Sequence, residues 1–345
     1  MKKKFWLGLA LASLMVVTAA CGGNNGKPSE GNGEQAEATN APEAGKTYNI
    51  AISQIVEHPS LDATREGFLA ALKDAGLEVN VDYNNAQGDP NNFKSIAEKI
   101  ASGNADLALG IATNTSSALV EEVKDKPVLF AAVTDPLKEK LVPQLKAPGG
   151  NVTGASDTNP EAIVQLMDFI AKELPEVKKV GIIINEGEPN AVVMSDIAQE
   201  ALSKHGIELV KAPIVNSSDV QQAAQSLVGR VDAVYITLDN TVVEGADAIL
   251  DVVEKNKIPF FSADRDTVEK GAFATVGFKY FDHGYEVGQM AVEILKNGKN
   301  PGELDVRTPE KLDFILNLKA AEAQGITVTE AMKAYVKDPE NNIIE

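Results

Sequence analysis

The chain has 345 residues, 44% of them apolar, with 32 basic against 50 acidic side chains and a formal charge of −18. A balance this acidic leaves no electrostatic footprint for nucleic acid or anionic lipid, and solubility is reason enough for it. Cys21 is the single cysteine, which excludes an internal disulfide, and the three histidines, His58, His205 and His283, are scattered.

The N-terminal stretch MKKKFWLGLALASLMVVTAACGG sets three lysines before an uncharged run, Phe5 to Ala20, that ends in small residues. It is too short for a comfortable membrane span and reads as a secretory signal over 1–20. Cys21 then stands where a bacterial lipoprotein signal places the residue that receives lipid, with Thr18 where Leu is more usual. Ordinary cleavage that leaves a free thiol is the other outcome. Residues 22–45 contain no Val, Ile, Leu or aromatic side chain, so with Cys21 they form a flexible linker that cannot bury enough apolar surface to order itself. Losing Lys2, Lys3 and Lys4 with the signal leaves 29 of the 32 basic residues and a charge of −21. Residues 46–345 exceed what a single core usually takes, so two packed units are expected.

From Tyr48 onward, short apolar runs alternate with segments of helical period. Strands are predicted at 48–56, 77–86, 105–112, 126–133 and 151–156, each β-branched or uncharged as strands buried in a parallel sheet tend to be. Helices are predicted between them at 61–75, 93–101 and 116–123. After Asp157 the rhythm restarts, with strands at 177–185, 206–214, 231–238 and 258–263 and helices at 191–205, 219–228 and 242–255. His205 and Gly206 read as the end of the first of these helices. The segments VDYNNAQGDPNNFKSIAEKIASGNADLALGI and LVKAPIVNSSDVQQAAQSLVGRVDAVYITL share one plan of strand, polar turn, helix and strand. The tail carries a long segment over 273–304, a strand over 311–321 and a closing helix near 328–336. The fold class is therefore α/β, with two Rossmann-like lobes in tandem. Sharing the last helix and strand between them gives 46–156 plus 278–304 for one lobe and 157–277 plus 305–345 for the other, joined by a hinge of several crossings.

In open α/β sheets ligands sit beyond the carboxyl ends of the strands. Here those loops carry Glu57-His58, Gln87-Gly88-Asp89, Thr113-Asn114-Thr115 and Thr134-Asp135 in the first unit. The second unit offers Asn185, Glu186, Glu188 and Asn190, then Asn216-Ser217-Ser218, Asp239-Asn240 and Asp264. Two facing rims of hydroxyls, amides and carboxylates suit a small zwitterion. Helix N-termini near Thr115 and Asn190 would meet a carboxylate, and an ammonium would seek Glu57, Asp157, Asp239 or Asp264. Each such residue also has a plainer reading as a helix cap.

In EHPSLD, Ser60 reads as an N-cap and Asp62 as a first-turn acid, while His58 is open between a cleft contact and a bond that fixes the loop. No GxSxG, HExxH, P-loop or GxGxxG is present, so neither catalysis nor a cofactor is expected. Glu57, His58, Asp62 and His283 lack the clustered ligands a metal needs, and no metal site is assigned.

Together EHPSLDATREGF, NAQGD, AVTDP, GNVTGASD, TLDN and ATVGFKYFDHGYEVGQMAVEIL resemble the substrate-binding lipoproteins of ABC transporters, in the group of tryptophan/tyrosine-type binding proteins, across residues 46–325. The resemblance implies a type I periplasmic-binding-protein architecture whose lobes close over a hydrophobic or aromatic amino acid and hand it to a membrane permease. It implies that Glu57, Leu61, Thr113, Asn114, Thr134, Asp135, Ser156 and Asp157 face the cleft from the first lobe and hinge, and Asn190, Asp239, Asn240 and Asp264 from the second. ATNTSSAL replaces a loop that more often carries Pro and Gln, and Ala191 stands where many relatives have Ser.

The reading is an extracytoplasmic, lipid-anchored, monomeric receptor without enzymatic activity. A sensing domain that works without transport, or a binder of a nucleoside or sugar, would use the same kind of cleft. An extracellular hydrolase would need a nucleophile beside a base, and none is visible.

Overall fold

The computed structural model describes residues 46–309 and 312–345; the signal, Cys21 and the linker lie outside the described residues. The first half of the chain runs β1 (Thr47–Gln54), α1 (Pro59–Asp74), β2 (Glu78–Asn85), α2 (Pro90–Ser102), β3 (Leu107–Ile111), α3 (Thr113–Glu122), β4 (Val128–Val133) and β5 (Val152–Ser156). These strands form one parallel sheet in the order β2-β1-β3-β4-β5. Its two faces follow from the period of two: Ile50, Ile52, Leu107, Leu109 and Leu129 enter one core with Phe68 and Leu72, and Ala51, Ala108, Val128 and Phe130 enter the other. The edge strand β2 is polar and largely uncovered, which protects an unpaired ladder from further pairing.

The second half runs α4 (Pro160–Glu173), β6 (Lys179–Asn185), α5 (Pro189–Lys204), β7 (Glu208–Ile214), α6 (Val220–Leu227), β8 (Ala233–Ile236), α7 (Asn240–Glu244), α8 (Ala246–Asn256), β9 (Phe260–Ser262), α9 (Arg265–Lys270) and β10 (Ala274–Gly277). After α10 (Tyr280–Leu295) come β11 (Asp313–Asn317), α11 (Leu318–Gln324), α12 (Glu330–Lys333), α13 (Pro339–Asn342) and β12 (Ile343–Ile344). The second sheet has the order β12-β11-β10-β9-β8-β6-β7, and β11 is antiparallel to β10. The fold is thus α/β with two mostly parallel sheets, one per lobe. Pro213 is tolerated because β7 is an edge strand.

The structure departs from the sequence reading at several elements. Helices α4 and α9 and strand β10 were not anticipated, and the helix predicted at 242–255 is split at Gly245. The strand predicted at 311–321 ends at Asn317, whose side chain accepts from Ala320 N at 2.9 Å and starts α11. The closing helix contracts to α12.

Helix α10 returns to the first lobe and packs against α1. The two helices meet almost backbone to backbone: a Cβ on Gly284 would lie 1.9 Å from the carbonyl oxygen of Thr64, and one on Gly67 2.0 Å from that of Phe281. Between the lobes the chain crosses at 157–159 and 278–279 and again beyond Arg307. There Arg307 pairs beside β5, its N–H donating to Gly154 O at 3.0 Å while Ser156 N donates to Arg307 O at 2.8 Å. Among the described residues no helix is long and apolar enough to cross a membrane.

Candidate functional site

The carboxyl ends of β1 and β4 face those of β8 and β9 across a buried cavity at the hinge. Helix α1 begins there because His58, with extended backbone, is its N-cap and Pro59 its first residue. Ser60, read from sequence as the cap, lies inside the first turn and is buried, and its Oγ donates to Asp264 Oδ1 at 2.8 Å in the other lobe. His58 Nε2 lies 3.3 Å from Asn240 Oδ1, also across the lobes. Leu61 supplies an apolar wall and Leu238, between β8 and α7, packs on the cores of both lobes.

The second-lobe rim is organised by Glu188. Its carboxylate accepts from Asn240 N and Nδ2, from Thr241 N and Oγ1, and from Asn190 Nδ2, tying the start of α5 to the start of α7. These bonds fix the amides, since an oxygen of Asn240 or Asn190 turned toward the carboxylate would repel it. Asn240 Oδ1 must then accept, so His58 Nε2 carries the proton and its Nδ1 is a bare acceptor. Both His58 Nδ1 and Asn190 Oδ1 are buried without a hydrogen-bond partner. Burial holds the His58 imidazole below its ordinary pKa, consistent with this neutral tautomer.

Two carboxylates complete the lining. Asp264 caps α9 through Asp266 N and Thr267 N while one of its oxygens receives Ser60. Asp157, at the first crossing, accepts from Thr158 Oγ1 at 3.0 Å and Thr134 Oγ1 at 3.3 Å, and Tyr280 OH approaches at 3.5 Å. Burial pushes its carboxyl up to about 6. No lysine or arginine lines this cavity among the described residues. It encloses about 290 Å³ between atoms and is narrow, with free room for about one water molecule.

A further device shapes the wall. Ala132 has φ +54, in the left-handed region that L side chains rarely adopt, where the β4–β5 register shifts. Its N–H donates to His283 Nε2 at 3.0 Å, and burial lowers that imidazole to about 4, so the ring stays an acceptor and the bulge stays in the cavity wall. His283 therefore positions the site from α10 without touching its interior.

Of the twelve residues singled out from sequence, the structure brings Leu61, Asp157, Asn190, Asn240 and Asp264 to this cavity. Thr134 and Ser156 stand behind Asp157: Thr134 Oγ1 donates to its carboxylate, and Ser156 Oγ donates to Thr134 O. Asp239 is buried behind Asn240 as the cap of α7, and burial beside Glu188 drives its carboxyl well above the usual range. Thr113 opens α3, its Oγ1 buried and unpartnered, and Asn114 follows it outside the cavity. Asp135 caps a turn through Leu137 N and Lys138 N. Glu57 is exposed and accepts from Tyr83 OH at 2.9 Å. Sequence reasoning placed Glu188 on the rim without assigning it to the ligand, and did not single out Ser60, Ala132 or Tyr280 as site residues. Only Glu188 had a local signal, an acid two residues before Asn190 at a strand-to-helix turn.

The model of the family described as ABC transporter substrate binding protein matches residues 49–339. The tyrosine-binding protein of Clostridioides difficile (strain R20291) is 35% identical over 349 residues, covering 99% of this chain and 98% of the relative. The structure of an ABC domain in complex with L-Trp from Streptococcus pneumoniae superposes with a TM-score of 0.80, at 29% identity over 87% of this chain and all of that one. The ligand-free, open structure of a substrate-binding protein with adhesive properties from Clostridium difficile is 37% identical over 86% of this chain and 98% of that one, with a TM-score of 0.61.

Proposed function

The chain belongs to the family of ABC transporter substrate-binding proteins, and from that premise we propose that it is the receptor of an importer, capturing a hydrophobic or aromatic amino acid by closure of its lobes. Proteins of this family bind a small ligand outside the cytoplasm and do not transform it. The finer reading rests on the cavity. One observation carries it: among the described residues, Asp157 and Asp264 are buried in a chamber with no cationic side chain, beside the bare acceptors His58 Nδ1 and Asn190 Oδ1. A desolvated carboxylate needs a partner, and the ammonium of an amino acid is the complement this chamber lacks. Leu61, Leu238 and Tyr280 suit an apolar side chain.

Closure is supported by the bonds from His58 and Ser60 to the opposite lobe. It is supported too by the better superposition on the L-Trp complex than on an open relative of higher identity. The names of the tyrosine-binding relative and the L-Trp complex favour aromatic amino acids. Lipidation at Cys21 would tether the receptor beside its permease. Titration calorimetry of the mature protein against amino acids, nucleosides and sugars, with small-angle scattering at saturation, tests this. Binding of an aromatic or aliphatic amino acid with a fall in radius of gyration supports it; a panel in which no amino acid binds, or unchanged scattering on saturation, overturns it.

A further inference from the structure

His58 is the N-cap of α1, yet its side chain does not cap: no hydrogen bond runs from it to the first turn. The ring is buried, 7% exposed, and its two nitrogens stand in different surroundings. Nε2 reaches Asn240 Oδ1 in the second lobe at 3.3 Å. That amide cannot turn over, because its Nδ2 donates to Glu188 at 2.6 Å. Among the described residues Nδ1 is buried in the chamber without a partner, and so is Asn190 Oδ1 on the facing lobe.

A histidine kept only to fix the loop would use Nδ1 on a backbone N–H of α1, as capping side chains do. Here that acceptor is left unused, and a second bare acceptor stands on the other lobe. An acceptor shut away from water without a donor destabilises the state that buries it. Closing the lobes without a donor between them therefore leaves two such groups, one from each lobe, while closing over a donor pairs both. The chamber has free room for about one water molecule, which is also the size of one ammonium group. An ammonium has three N–H donors: one for His58 Nδ1 of the first lobe, one for Asn190 Oδ1 of the second, and one for Asp157 at the crossing between them.

We propose that His58 couples occupancy to closure: Nδ1 accepts an N–H from the ligand's ammonium while Nε2–H bonds Asn240, so that one ring joins the ligand to both lobes. The proposal rests on the amino-acid reading above and adds to it the residue through which a bound amine holds the lobes together. Accepting at Nδ1 makes Nε2–H a better donor, since hydrogen bonds in a chain polarise one another. The ligand contact and the contact between the lobes then strengthen each other through the imidazole. A ligand without the ammonium leaves Nδ1 bare and gains nothing from this ring.

Nitrogen NMR of the mature protein with isotope-labelled histidine tests this, with L-tyrosine as the probe, or L-leucine if tyrosine does not bind. His58→Gln identifies the signals and serves as the variant, because its amide can still donate to Asn240 but offers no acceptor at the Nδ1 position. Saturation is expected to move the His58 Nδ1 signal upfield, as accepting a hydrogen bond does. It is also expected to make the Nε2 proton, which exchanges fast in the open receptor, slow enough to observe. By calorimetry His58→Gln lowers affinity for the amino acid about tenfold. It leaves the analogue that lacks the amine, hydroxyphenylpropionate for tyrosine, within about twofold of its wild-type affinity. A histidine that only fixes the loop would weaken both ligands alike. An Nδ1 signal unmoved by saturation, the result expected if a buried water fills the chamber instead, overturns the proposal, as does equal weakening of the two ligands. An Nε2 proton equally protected with and without ligand overturns it too, by making the contact between the lobes permanent. The amino-acid receptor survives all three results. A protein that binds neither amino acid removes both.

Discussion

Helix α1 makes two seams, and they are built from opposite materials. Along its length it meets α10 through Gly67, Phe68 and Ala71, where glycines bring the two backbones into contact. At its N-terminus it meets the second lobe through His58 and Ser60, two side chains that each make one hydrogen bond across the gap. The first seam is dry and close-packed, and a loss of fit anywhere along it is felt throughout. The second is polar and narrow, and water can replace its bonds at small net cost. The proposed closure would need this asymmetry, since it holds one lobe together while separating it from the other.

The largest effect comes from breaking the first seam. Gly284→Val places a branched side chain where even a Cβ would lie 1.9 Å from Thr64 O, and neither backbone can retreat without unpacking Phe68 and Leu72. Denaturant titration is expected to give a loss of about 3 kcal/mol or more. A loss below about 1 kcal/mol would mean that the helices slide apart freely and that the seam is no more rigid than the cleft.

The second effect is on the cleft and depends on pH. Asp157→Asn removes the charge at the chamber mouth without changing its size. Affinity for an amino acid is expected to fall by about 30-fold, near 2 kcal/mol, by calorimetry at pH 7.5. Stability of the ligand-free protein moves the other way. The folded carboxyl, near 6, holds its proton more tightly than the usual 3.8. The stability this contributes is therefore present below about pH 4 and is lost as pH rises through 6. The variant should be more stable than the wild type by about 1–3 kcal/mol at pH 8 and level with it near pH 4. Asp266 is also pushed up to about 6 by burial and by the charge of Asp264, so the difference between the two proteins isolates Asp157. Ligand affinity of the wild type should rise between pH 5 and 7 as Asp157 ionises, and a flat profile would detach the ammonium from this residue.

How much of this was written in the sequence follows the same division. The first lobe was legible because β1, β3 and β4 are apolar on both faces and its helices are spaced by short polar turns. In the second lobe α4 escaped, although Asn159 caps it through Glu161 N and Pro160 opens it. Helix α4 starts directly from the first crossing, with no strand of its own lobe before it to mark the β-α rhythm. Strand β10 has only four residues and merges into the run toward α10. At the site, sequence could nominate polar residues at strand ends but could not rank them. Capping and ligand binding use the same side chains, and Asp264 does both. Ser60 and Tyr280 reach the cavity only because helix packing and the crossings bring 58–61, 157, 264 and 280 together, a long-range outcome with no local signature.

Smaller effects separate the seam's contacts from its surroundings. Ser60→Ala removes one bond between the lobes and leaves Asp264 with its cap interactions. Affinity should drop about fivefold, near 1 kcal/mol, with little change in the ligand-free melting temperature. A larger fall in melting temperature than in affinity would make the bond part of a permanent contact. Glu57→Gln is expected to do least. Its carboxylate sits one residue before His58 yet is exposed, and it accepts from Tyr83 OH on the edge strand of the same lobe. Such a surface contact contributes at most about 0.5 kcal/mol, and ligand affinity should stay within about twofold. A tenfold loss in the glutamine variant, with stability unchanged, would put Glu57 on the ligand in the closed receptor and would require the loop before α1 to turn inward from the position seen here.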